Sequence, residues 1–264
     1  DEWAIRPCKK YLFNPTDMYN DELGVIFEYI LKDKKMKNPR MGFCYPEAES
    51  GKIVYKLGTQ WAKHFKINLY PEVLSLGMMD VTSQVLSLKR NKVDVVIIHH
   101  VMPGAVALLK DMKKFGLKVP AYGTWPNCNE DTVTTAGSAS KNYIGAHAFS
   151  SWYSKGTGVE KMRQITLKYH PGTEKPYRVK SYTMGWVMAK IFYRGVELAG
   201  KNLTIESFVK GLEKIKNFDT KGLVGLITYT SNNHTGVDSC RLFKADPENG
   251  KLIPITGWRK KPGK

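Results

Sequence analysis

The sequence predicts an α/β protein built on a parallel sheet, and two observations carry that reading. From residue 17 to about residue 164 the apolar pattern alternates between helical spacing and short buried runs. Within that stretch, Val93-Asp94-Val95-Val96-Ile97-Ile98 is the kind of β-branched run found in strands covered on both faces. Right-handed crossovers between such strands place helices on both sides of the sheet.

The elements follow in order. Asp17 can cap a helix whose Leu23, Ile26, Phe27 and Ile30 share one face, and the helix ends in the lysine-rich segment before Pro39. Residues 41–45 read as a strand, 50–64 as a helix with Ile53, Leu57 and Trp61 in phase, and 67–76 as a second strand. Asp80 opens a helix, 93–98 is the third strand, and Pro103 sits in the first turn of a helix that stops at Gly116. A strand over 120–123, a short helix over 129–135 and a strand over 143–149 complete the alternation. Helices at 159–169, 182–199 and 204–214 then dominate, the last opened by Thr204 as cap. The tail from Leu223 reads as short strands, with Asp246-Pro247-Glu248-Asn249-Gly250 turning a hairpin between 239–243 and 252–255. The helices after Gly158 carry wide apolar faces, yet that region supplies almost no strands to bury them.

Bulk composition narrows the classes of function. With 264 residues, 42% hydrophobic and 11% aromatic, the chain folds, and it is long enough for two lobes. No apolar run approaches the ~20 residues of a membrane-spanning helix, and the opening Asp1-Glu2-Trp3-Ala4-Ile5-Arg6-Pro7 has no leader pattern. The net charge of +17 comes from 41 Lys plus Arg against 24 Asp plus Glu. Those lysines are scattered over nearly every helix, as in Lys110-Asp111-Met112-Lys113-Lys114, without an arginine-rich or aromatic-interleaved stripe. A solvated basic surface is therefore expected, with no nucleic acid as partner. Cys8, Cys44, Cys128 and Cys240 are too far apart for a CxxC pattern; three disulfide connectivities or buried free thiols stay open.

Motifs for chemistry are few. Glu49-Ser50-Gly51-Lys52 lies between strand and helix as a phosphate-binding loop would, but Pro46 occupies the first glycine position and Ile53 the hydroxyl position. What survives is a helix N-terminus able to meet a polar ligand group. His99-His100 follow a buried strand, where adjacent side chains point to opposite faces, so they cannot chelate one metal ion. One of them lines a cleft or is structural. No nucleophile elbow or catalytic dyad occurs, so no catalytic residue, metal or cofactor is expected, and the chain reads as a binder rather than an enzyme. Trp125, in Tyr122-Gly123-Thr124-Trp125-Pro126-Asn127, stands at the carboxyl end of a strand, either packed or as a ligand platform.

The order of these units resembles the type I periplasmic solute-binding proteins of the branched-chain amino acid and amide ABC importers. The resemblance rests on Tyr11-Leu12-Phe13 before a long helix, Glu49-Ser50-Gly51 after a strand, and Val93-Asp94-Val95-Val96 followed by Pro103. It continues through Gly116-Leu117-Lys118-Val119-Pro120, Tyr182 and Trp186 opening a helix that ends Glu197-Leu198-Ala199-Gly200, and Phe218-Asp219-Thr220-Lys221-Gly222-Leu223-Val224-Gly225. It implies a two-lobed fold of parallel sheets joined by a hinge. Residues 1–148 with the tail 236–264 would be the second lobe, and 149–235 the remaining half of the first, whose N-terminal βα series the sequence is expected to lack.

The resemblance also implies a site and partners. Ligands of the family lie at the carboxyl ends of strands, which carries over to Glu49, Ser50, His100, Val101, Thr124 and Trp125, with Tyr182 from the other lobe. Where Trp125 falls, amino-acid binders of the family usually place an acid for the ligand ammonium. A planar or apolar carboxylate or amide is the ligand this implies, unless Glu49, Glu130 or Asp131 substitutes. Hinge closure, a membrane permease as partner, and a periplasmic location peripheral to the membrane complete the expectation. The rivals are a sensory receptor of the same fold and an α/β enzyme.

Overall fold

A computed structural model describes residues 5–77, 80–172 and 177–263, so the residues Asp1 to Ala4 read for a leader lie outside it. The chain divides into two units, one of Asp1–Met18 with Ala148–Cys240 and one of Tyr19–His147 with Arg241–Lys264. The backbone passes between them after Met18, after His147 and after Cys240.

The larger unit is built on a sheet. Its order is β2 (Leu69–Leu74), β1 (Met41–Pro46), β3 (Val95–Ile98), β4 (Ala121–Gly123), β5 (Tyr143–His147), β6 (Ser239–Asp246) and β7 (Lys251–Pro254), with β8 (Arg259–Lys260) on β6. The first five pair in parallel, as the alternation predicts, and β6 and β7 close the edge antiparallel. Strand register sorts the two faces. Cys44, Val96, Ile98, Ala121, Tyr143 and Phe243 point into one core under α3 (Thr82–Arg90), α4 (Met102–Lys114) and α5 (Glu130–Ala136). Phe43 points the other way, and α2 (Glu49–Phe65) approaches it so closely that Gly58 leaves no room for a Cβ. On the same side α1 (Tyr19–Glu28) buries Leu23, Ile26 and Phe27, and its Asn20 accepts the Trp61 indole N–H at 2.9 Å.

Local signals explain most of the ends. Pro103 occupies the first turn of α4, Asn129 caps α5 by accepting the Thr132 N–H at 2.9 Å, and Gly116 takes the positive φ of 69° that ends the turn after α4. Two expectations need correction. The helix expected through Ile30 changes at Tyr29–Asp33 into a π-helical turn, where Arg259 pairs with Asp33 at 2.9 Å. Between Leu223 and Val237 the tail forms only isolated bridges among the described residues, Phe218 to Ile227, Thr230 to Asn233 and Asn14 to Thr235, while the expected hairpin forms as β6 and β7. Leu223, Ile227 and Tyr229 are buried as alternation requires, but their N–H groups find scattered loop partners, as Tyr229 N–H does on Ile215 O at 2.9 Å.

The smaller unit is mainly helical: α6 (Thr157–Tyr169), α7 (Lys180–Ala199) and α8 (Ile205–Glu213) pack Phe149, Val159, Met162, Val187, Ile191 and Leu212 against Tyr229. Thr204 and Ser207 close a reciprocal capping box at 3.1 and 2.8 Å. Part of the wide apolar helix surface stays exposed, with Met188, Phe192 and Tyr193 facing outward.

The N-terminal segment is tied to this unit by His234. Its Nδ1 meets the carbonyls of Lys9 at 2.9 Å and Leu12 at 3.2 Å, its Nε2 meets Glu213 Oε1 at 3.2 Å, and Phe13 stacks on the ring at 3.7 Å. His234→Ala is expected to lower stability by about 2 kcal/mol in urea unfolding, since a buried hub of polar contacts is lost. Limited proteolysis should show faster cleavage between Lys9 and Asn14.

Candidate functional site

Open α/β sheets bind ligands outside the carboxyl ends of their strands, at the point where strand order reverses. Here that point lies between β1 and β3, the strand order running β2, β1, β3, β4. The residues at these ends are therefore placed by topology before any side chain is considered.

After β1, Glu49 and Ser50 open α2 and are both exposed, with the Glu49 carboxylate 3.9 Å from Lys52. Its placement at the helix N-terminus offers N–H groups to a ligand more readily than a buried acid. After β3 the two histidines part as adjacent strand residues must. His99 Nδ1 lies 2.9 Å from Thr124 Oγ1, and the Tyr19 ring meets His99 edge-on at 4.6 Å. His100 instead packs over Gly104 in the first turn of α4, where a Cβ would collide with the imidazole. Its Nδ1 is 3.3 Å from Val101 O, while its buried Nε2 has no hydrogen-bond partner. Val101 beside it is half exposed.

After β4, Thr124 is fully buried and Trp125 is 39% exposed, the most open aromatic at these strand ends. The Trp125 backbone N–H donates to Glu22 Oε2 at 3.0 Å, which fixes the loop to α1. The indole lies parallel to Tyr19, centroids 6.2 Å apart and planes within 5°, and meets the His147 ring edge-on at 6.3 Å. The structure thus brings His99, Thr124, Trp125, Tyr19 and His147 together. Tyr182 belongs to the helical unit, where its hydroxyl is engaged with Thr166 Oγ1 at 2.9 Å.

Asn127 organises these ends. Its amide nitrogen donates to Ile98 O at 3.2 Å and His100 O at 2.8 Å, and its Oδ1 accepts the Tyr143 hydroxyl at 2.6 Å. Gly123 is required for this, because a Cβ there would overlap both Asn127 Oδ1 and the Tyr143 hydroxyl. Asn127, Tyr19, Glu22 and His147 all escaped the sequence reading. Asn127 had a usable signal, since it closes the same strand-end hexapeptide that flagged Trp125; the others come from distant segments.

The histidines of the site are neutral, and the carboxylate nearest Trp125 is that of Glu22. Burial, with His100 adjacent, pushes His99 down to about 4, and burial lowers His100 as well. Both imidazoles are uncharged at neutral pH and offer single donors or acceptors. Of the acids named as substitutes for Trp125, Glu130 is fully buried at the start of α5 and Glu49 is exposed beside Lys52. All four cysteines are free thiols, with Cys44 buried in β1 and pushed up by that burial. Among the described residues no three His, Cys, Asp or Glu side chains converge as metal ligands, and no helix is long and apolar enough to cross a membrane.

The family model described as periplasmic binding protein matches residues 3–251. The chain belongs to the periplasmic binding protein family. Solved structures agree on the fold. A branched chain amino acid ABC transporter protein from Thermus thermophilus, with bound valine, superposes with a TM-score of 0.86 at 22% identity, over 98% of this chain and 70% of that one. A fatty acid ABC transporter substrate-binding protein from Thermomonospora curvata gives 0.85 at 20%, over 97% of this chain and 67% of that one. A leucine binding protein from Thermotoga maritima gives 0.82 at 12%, over 97% of this chain and 70% of that one. No curated protein sequence matches significantly. This periplasmic binding protein chain thus spans about 70% of the length of such structures, and its family and fold are those of binding proteins.

Proposed function

We propose that this periplasmic binding protein takes a small planar or apolar solute, a carboxylate or amide, at the carboxyl ends of β1, β3 and β4. The observation that carries the proposal is Trp125: exposed, parallel to Tyr19, and standing among neutral histidines. A flat indole face stabilises a flat apolar body, and the carboxylate nearest it, Glu22, is already engaged by the Trp125 N–H at 3.0 Å, where a buried ligand ammonium would cost several kcal/mol unless it displaced that bond. Glu49 and Ser50 at the start of α2, His100 with its unengaged Nε2, and Val101 would supply the polar and apolar edges of the site.

The rest of the reading follows from family membership. The protein binds without covalent chemistry, its affinity being greater for one hinge state than another. It works outside the cytoplasm and delivers its solute to an ABC importer permease. In this reading the unit of Tyr19–His147 with Arg241–Lys264 forms one lobe, and the unit of Asp1–Met18 with Ala148–Cys240 forms part of the other.

Calorimetry against branched-chain amino acids and aromatic carboxylates tests the ligand class. Trp125→Ala is expected to weaken the bound member by about 1–3 kcal/mol, as for loss of a stacking platform. Tight leucine or valine binding that survives Trp125→Ala would refute it.

A further inference from the structure

On the face of the sheet that carries Phe43, α2 packs on β1, and α1 packs beside α2 and reaches β5 and β8. Register sets Tyr122, Ile144 and Lys244 side by side on β4, β5 and β6, with Ile253 next on β7. Tyr122 and Ile144 are buried, whereas Lys244 and Ile253 are exposed. Beside the π-helical turn this leaves a groove of about 550 Å³ floored by Tyr122, Ile144 and Ile255. Its lining includes Lys34, Lys141 and Lys244 and no carboxylate.

The three lysines are not consumed by the fold. Among the described residues Lys141 and Lys244 make no ion pair, and Lys34 lies 5.4 Å over the Tyr29 ring, which holds its stem against the groove wall. Asp33, beside Lys34, is paired with Arg259, and Asp246 and Glu248 line an adjoining groove of about 760 Å³ that shares Lys141, Lys244 and Ile255. The first groove therefore combines an apolar floor with an uncompensated cationic rim, on a chain whose net charge of +17 already concentrates anions at its surface. None of its lining residues lies at the carboxyl strand ends that hold Trp125.

We propose that this groove is a second binding site, for a soluble amphiphilic organic anion whose acidic head lies among Lys34, Lys141 and Lys244 and whose apolar body covers Tyr122, Ile144 and Ile255. The head gains charge-assisted hydrogen bonds from ammonium groups that stay hydrated otherwise, and the body removes Ile255 and the floor from water. An uncharged amphiphile gains only the second term, so discrimination by charge is the signature of the site.

The test uses the full chain with 8-anilino-1-naphthalenesulfonate as fluorescent probe and decanoate as competitor at low ionic strength. Saturable binding that decanoate displaces and decanol does not is expected. In the Trp125→Ala background, where the first site no longer takes the probe, Lys141→Glu combined with Lys244→Glu should weaken it by more than about tenfold, two charged contacts becoming repulsive. Ile255→Asn is a second variant, expected to weaken decanoate by shrinking the apolar floor without a change of charge; all these positions are exposed, and thermal melts check the fold. Unchanged affinity in the lysine variant, equal displacement by decanol, or no saturable binding left in the Trp125→Ala background would each overturn the proposal. Flotation with phosphatidylglycerol vesicles is the last arm: vesicle binding through these lysines without decanoate binding also overturns it, in favour of a membrane surface.

Discussion

Asn127→Leu is expected to lower the unfolding free energy by about 3 kcal/mol, because the His100 carbonyl loses the amide that serves it and leucine cannot accept from Tyr143. The other two partners are partly insured. Ile98 O also receives the Thr124 N–H at 3.2 Å, and the Tyr143 hydroxyl also reaches Asn127 O at 3.0 Å. Stability should therefore fall mainly through His100, and the loop carrying Trp125 should shift with it. Urea unfolding measures the first effect. A ligand titration measures the second effect.

The second large effect is a dependence on pH set by His99. Its folded value of about 4 lies below the ordinary 6.5 because the ring is buried between Thr124 and Tyr19 with His100 adjacent. Between these two values the unfolded chain binds a proton that the folded chain refuses. Stability thus rises with pH across this window and is lost as pH falls from 6.5 towards 4, by about 3 kcal/mol in all. His99→Gln removes the group and should flatten that part of the curve. Unfolding free energies of both proteins at pH 7, 5 and 4 decide the matter, since the carboxylates that titrate in the same range contribute equally to each. If the two curves run parallel, His99 is not held neutral by burial.

The parallel sheet was legible because burial on both faces leaves a mark that chemistry cannot hide: Val95, Val96, Ile97 and Ile98 are all fully buried. Pro103, Gly116 and Asn129 fix helix ends through constraints within a few residues, and they were read correctly. The π-helical turn was not, because its register depends on Arg259 reaching Asp33 from far along the chain. The strands expected between Leu223 and Ser239 failed for a related reason, whereas the hairpin beyond them formed as β6 and β7. Alternating burial specifies which side chains point inward, but the hydrogen-bond partners that distinguish a ladder from a loop come from elsewhere, such as Asn14 for the Gly236 N–H. At the site, strand ends told where Thr124 and Trp125 would stand, while Tyr19 and His147 reach them only through folding.

The sequence positions of the sheet also dictate an order of assembly during synthesis. β5 ends at His147, and its antiparallel neighbour β6 begins only at Ser239, after every helix of the smaller unit has been made. A nascent chain that has completed β1 to β5 therefore displays the free edge of β5, with its hydrogen-bonding groups open to any strand that arrives, for the whole interval in which the helical unit emerges. The hairpin of β6 and β7 acts as the closing seam. Protection of that edge by a chaperone or by rapid helix packing is what separates productive folding from aggregation, and substitutions that slow synthesis between residues 148 and 238 should lower soluble yield without altering the finished protein.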